Sequence, residues 1–137
     1  MTGIVVDASI TLSWCFPDEQ VPSSLQVLDR LNTGDFALVP AFFLVEVLNC
    51  LLVGERKGRI SPQQTRNFLD DIRVMRPMID HTHIDKVFDD IQPICRAYGL
   101  TPYDALYVEL AMRSGTRSPH WIGFKEMPPW PPGVVCL

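Results

Sequence analysis

The 137-residue chain has no long apolar run, no closely spaced cysteines and no surplus of positive charge. No stretch approaches the roughly 20 apolar residues that span a bilayer, so no transmembrane helix is expected. The opening "MTGIVVDASI" has no basic segment, and its apolar run is broken by Asp7. A secretory leader is therefore not expected, and the cytoplasm is the expected compartment. Cys15, Cys50, Cys95 and Cys136 are scattered without a C-x-x-C pair, which argues against a zinc knuckle or redox couple and for reduced thiols. Twelve Lys and Arg stand against sixteen Asp and Glu, a net charge of -4. That is the wrong sign for nonspecific affinity to a polyanion, which relies on cations neutralising phosphates. Any nucleic-acid role must rest on a local site.

What is present reads as one globular domain, with 47% hydrophobic and 20% charged residues. "GIVVDAS" is a β-branched run that reads as a buried strand stopping at Asp7. Leu25, Val27, Leu28 and Leu31 recur at helical spacing, and "NTGD" supplies a turn. "FALVP" reads as a second strand closed by Pro40, and 41–57 as a long apolar helix. Ser61 before Pro62 opens another helix. "PMIDH" reads as a short third strand, and "IDKVFDDIQPICRAYG" as a helix that Pro93 should kink or restart. "TPYDALYVELAMRSG" is a helix with Thr101 as its cap and Pro102 as its first residue. Strands alternating with helices predict an α/β fold, a parallel sheet with helices on both faces and its functional groups beyond the carboxyl ends of the strands.

That rule singles out Asp7, although an aspartate there can equally cap the short helix "ASITLSW". Glu46 stands inside "AFFLVEVLNCLLV", where an unpaired buried carboxylate would cost several kcal/mol. A metal, a basic partner or an exposed helix edge would each relieve it, and Asn49 one turn on adds a second polar group to that edge. Asp104, third residue of its helix, can complete a capping box or face a cation. The pairs Asp70 with Asp71 and Asp89 with Asp90 read as solvated faces, since adjacent helical residues diverge. His81 and His83 in "HTH" read as polar loop residues rather than metal ligands.

Three segments, "VVDAS", "FFLVEVLNCL" and "GLTPYDALYVELA", come in the order and at the separations of a known family. Over about Met1 to Gly115 the chain resembles the PIN-domain ribonucleases, and among them the VapC-like toxins of type II toxin–antitoxin systems. The resemblance implies a PIN-like three-layer fold and an acidic site binding Mg²⁺ or Mn²⁺ through Asp7, Glu46 and Asp104, with Ser9 and Thr101 as supporting groups. These acids are expected to converge on one solvent-accessible pocket. The implied reaction is metal-dependent in-line hydrolysis of RNA, leaving 3′-hydroxyl and 5′-phosphate ends. Clustered carboxylates repel one another and are tolerable beside a divalent cation, and Mg²⁺ accepts oxygen ligands while keeping several waters. A homodimer and a small VapB-like antitoxin are the implied partners. Residues 54–59, "GERKGR", with Arg73 and Arg76, are candidates for gripping the phosphate backbone or form a solvated helix end.

Two other classes compete. One is a PIN-like module that has lost catalysis and binds or sequesters. The other is a phosphate-handling α/β protein; a haloacid-dehalogenase-like phosphatase would need Asp-x-Asp, where this chain has Ser9, and a receiver domain would need an acidic pair and a late lysine. The family's terminus also runs through a strand like "LPLATLDR", whose aspartate supplies a further acid. Here 116–137 is instead rich in proline and tryptophan, and Glu126 among Pro128, Pro129, Pro131 and Pro132 is a poor substitute. His120-Trp121-Ile122-Gly123 must be encoded CAY TGG ATH GGN, which one frame over reads Leu-Asp followed by Arg or Trp. The tail is accordingly read as a frameshifted rendering of a PIN terminus, with the last strand and helix disrupted.

Overall fold

In the computed structural model, which describes residues 2–115, three short strands form one parallel sheet in the order β1-β2-β3. They are β1 (Gly3–Val5), β2 (Phe36–Pro40) and β3 (Met78–Asp80). The register sets Ile4 beside Ala37, Val5 beside Leu38 and Pro40 beside Asp80. Parallel neighbours need crossover connections, and helices supply them. A helix α1 (Ala8–Ser13), a 3₁₀ turn (Pro17–Glu19) and α2 (Pro22–Asn32) join β1 to β2. Helices α3 (Phe43–Arg56) and α4 (Pro62–Met75) join β2 to β3. Beyond β3 a π-helical stretch (Lys86–Ile91) runs into α5 (Gln92–Tyr98), and α6 (Pro102–Ser114) follows. The mixed α/β architecture with a parallel sheet flanked by helices is the one the alternating pattern predicts.

Successive strand residues point to opposite faces, and β1 is buried on both. Ile4 and Val6 pack with Ala37, Ile10 and Val27 in one cluster. Val5 packs with Phe43, Val47, Leu51, Phe68, Ile72, Tyr107 and Leu110 in the larger one. The sheet thus separates α2 from the long helices α3, α4 and α6, and a strand covered on both sides carries the continuous apolar run seen in "GIVV".

Helix boundaries follow local chemistry. The Ser61 Oγ accepts the Gln64 amide at 3.1 Å while the Gln64 side chain accepts the Ser61 amide at 2.9 Å, and Pro62 occupies the first turn where a missing N–H costs nothing. α5 ends on Gly99 at φ 63, a left-handed position that glycine takes without penalty, whereas α4 ends on Arg76 at φ 50, which costs about 1 kcal/mol for a residue with a Cβ. The break expected at Pro93 takes the form of the widened π-helical turns just before it: proline has no N–H for the Asp89 carbonyl, and its ring crowds that carbonyl. The tail 116–137, with the frameshift reading and the missing last strand, lies outside the described residues. Among the described residues no helix is long and apolar enough to cross a membrane, and Cys15, Cys50 and Cys95 are free.

Candidate active site at the strand ends

Asp7 lies two residues past β1, Glu46 in the first turn of α3 just past β2, and Asp104 in the first turn of α6. The cap reading of Asp7 is realised by one oxygen: Oδ1 accepts the Ile10 amide at 2.8 Å, opening α1. The residue is only 7% exposed. Burial pushes its carboxyl up from 3.8 to about 6, opposed by the Ile10 amide and reinforced by the negative charges of Glu46 and Asp104. Glu46 is half-buried and raised in turn, first by burial and then by Asp104. Asp104 is exposed. Its amide donates to Thr101 Oγ1 at 3.2 Å, so the threonine caps α6, while no described group donates to the Asp104 carboxylate.

All three acids therefore occupy the first turn or the cap of a helix, where the positive end of the helix dipole favours negative charge. The fold brings them within electrostatic reach of one another. They do not form a ready-made ligand set: among the described residues no group of three or more His, Cys, Asp or Glu side chains is arranged to hold a metal ion directly. Nor do the three acids line the clefts of about 410, 600 and 670 Å³ elsewhere on the surface. Their donor chemistry is nevertheless that of a hard cation. Each of Asp7 and Glu46 has one oxygen occupied and one without a described partner, and Mg²⁺ is commonly held by one or two carboxylates with its remaining positions filled by water.

One group at this end was not singled out from sequence. Tyr107, three residues past Asp104 and 2% exposed, donates its hydroxyl to Glu46 Oε1 at 2.8 Å. Its own phenol is pushed far up by burial, by that bond and by the charges of Glu46 and Asp7, with a backbone hydrogen bond from Ala8 acting the other way. Phe42 lies 5.4 Å from the Tyr107 ring and 5.7 Å from Tyr103, tying the start of α3 to the start of α6. The available signal was a tyrosine at a core position of a helix, whose hydroxyl must find a partner when buried.

The supporting and basic candidates divide. Ser9 is exposed and lines the 410 Å³ cleft together with Cys50, Lys57 and Arg59. Arg59 is already engaged, with Asp18 at 2.9 Å, Glu19 at 3.1 Å and the Phe16 ring at 4.3 Å, so it clamps the 3₁₀ turn to α3. Arg73 pairs with Asp70 on its own helix, and Arg76 caps α4. Asp70, Asp71, Asp89 and Asp90 are exposed, as solvated faces should be, and so are His81 and His83.

A second acidic residue in α6, Glu109, carries the same sequence signal as Glu46, since it too interrupts an apolar run. It is 7% exposed and is paired with Arg113 at 2.9 Å and Lys86 at 3.5 Å, and Arg113 reaches on to Asp80 at 2.8 Å.

No family model matches the chain. In sequence it is similar to Ribonuclease VapC3 of Pyrobaculum aerophilum, 28% identical over 116 residues that make up 82% of this chain and 83% of that protein.

Proposed function

We propose that the chain is a metal-dependent endoribonuclease, a VapC-like toxin that hydrolyses RNA phosphodiesters in the cytoplasm and is neutralised by a cognate VapB-like antitoxin. The observation that carries this reading is Asp7: a carboxyl buried at the end of β1 and pushed up further by Glu46 and Asp104. Such a cluster is costly alone and stable beside a divalent cation. The similarity to a VapC ribonuclease, spread over most of both chains, supports the same class. Asp7, Glu46 and Asp104 would hold Mg²⁺ or Mn²⁺. When bound, such an ion supplies charge stabilisation at the phosphoryl oxygens and an activated water. The chain's own part is to fix the carboxylates at the helix starts and to keep Asp7 buried. Lys57, in the 410 Å³ cleft that Ser9 also lines, offers a cation to the RNA backbone.

For a homodimer the support is a row of exposed apolar side chains on α3: Leu44, Val45, Leu48 and Leu52, the leucines at i, i+4 and i+8 on one face. Leu48→Glu should convert a dimer to monomer in sedimentation.

The decisive experiment is cleavage of RNA by the purified full chain in Mn²⁺, with EDTA and Asp7→Asn as controls. Asp7→Asn should lose activity on the order of 100-fold or more, and the products should carry 5′-phosphates. Undiminished cleavage in EDTA or by the variant would overturn the metal reading. A second reading, a PIN-like binding or sequestering module with impaired catalysis, is favoured by one observation: the acids do not form a direct three-ligand set. RNA binding without cleavage in Mn²⁺ would select it.

A further inference from the structure

We propose that Tyr107 is a positioning residue for Glu46: its hydroxyl holds one carboxylate oxygen and leaves the other for the cation. This deepens the metal-dependent reading and rests on it. Glu46 has three rotatable side-chain bonds and sits half-buried at the start of α3, so unrestrained it would sample solvent-facing rotamers and lose freedom on binding an ion. Tyr107 removes that freedom in advance. Its ring is buried, fixed edge-on by Phe42 at 5.4 Å, and its hydroxyl meets Glu46 Oε1 at 2.8 Å. The Tyr107 hydroxyl oxygen in turn accepts from the backbone N–H of Ala8, the residue after Asp7. One hydroxyl thus ties together the chain leaving β1, the first turn of α3 and the body of α6, the three segments that carry the acids. A tyrosine serving the core alone would need only some acceptor. This one reaches 61 residues back to a carboxylate that water could otherwise solvate. Partners that orient ligands in this way commonly change metal affinity 10- to 100-fold.

The test is Mn²⁺ titration by calorimetry on the full chain without RNA, so that affinity is read independently of cleavage. Tyr107→Phe keeps the ring and its contact with Phe42, and should bind Mn²⁺ about tenfold more weakly with little change in melting temperature. In a Glu46→Gln background the same substitution should have no further effect, because the hydroxyl then has no carboxylate to orient. Phe42→Leu, which keeps the hydroxyl and loosens the ring, should give a smaller loss that is likewise absent beside Glu46→Gln. Wild-type affinity in Tyr107→Phe, or a tenfold loss that persists in the double variant, overturns the positioning role alone. Failure of the wild-type chain to bind Mn²⁺ overturns the metal reading together with it.

Discussion

Helix α6 carries two kinds of acid. Glu109, in its body, is enclosed by cations: Arg113 and Lys86 reach it, and Arg113 continues to Asp80 at the end of β3. Asp104, at its start, has no cation near its carboxylate among the described residues and adds its charge to those of Asp7 and Glu46. One cluster is neutral within itself and braces the π-helical stretch, β3 and α6 against one another. The other is unbalanced. A buried carboxylate with its countercharge supplied by the chain is architecture, whereas one loaded by further carboxylates leaves room for a cation from outside.

The sharpest way to break this comparison is the pH dependence of the metal-free chain. The Asp7 carboxyl is raised in the folded state from 3.8 to about 6, so its protonated form is the one that folding favours. Its contribution to stability is fully present below about pH 3.8 and is lost as pH rises through about 6, a change of about 3 kcal/mol. Urea denaturation in EDTA at pH 4, 6 and 8 should show this loss, and Asp7→Asn should flatten it. An Asp7→Asn variant as pH-sensitive as the wild type would show that the carboxyl is not loaded.

Next in size is Glu109→Ala, which strands Lys86 and half of the Arg113 network. It should lower stability by about 2 kcal/mol, less than the roughly 3–5 kcal/mol of a fully buried pair because Arg113 keeps Asp80 and is partly solvated. A change below about 0.5 kcal/mol in urea denaturation would make the cluster decorative. Thr101→Ala removes the cap of α6 and should cost about 1 kcal/mol by the same measurement. Asp104→Asn should be smallest, within about 0.5 kcal/mol of wild type in EDTA, since lost dipole stabilisation and relieved repulsion oppose each other. It should still abolish cleavage. A large drop in melting temperature with cleavage intact would make Asp104 a cap and nothing more.

Much of the fold was legible because it was written locally. Ser61 with Pro62 and Thr101 with Pro102 announce helix starts through side-chain oxygens and a fixed φ, and both helices begin there. "FALVP" and "GIVV" read as strands because their residues favour a pleat, and Pro40 closes the second. The acids were legible as exceptions: Asp7 by its place at a strand end, Glu46 by its apolar surroundings. What escaped was tertiary. No spacing rule links Tyr107 to Glu46, because the contact exists only once α6 has packed beside α3. Glu109 gave the same apolar-run signal as Glu46, and the cations that distinguish it, Lys86 and Arg113, lie on other turns and another segment. The π-helical widening before Pro93 could be anticipated as a disturbance but not as a geometry, since several distortions accommodate a proline equally well.

The three acids come from the beginning, the middle and the far end of the described chain, on segments that meet only in the finished fold. Synthesis runs from the amino terminus, and a domain folds as a unit once its segments have emerged. While α6 is still inside the ribosome, Asp7 and Glu46 have neither Asp104 beside them nor the Tyr107 hydroxyl between them. Any chemistry that needs all three acids is then withheld, by chain order alone, until α6 has emerged and packed.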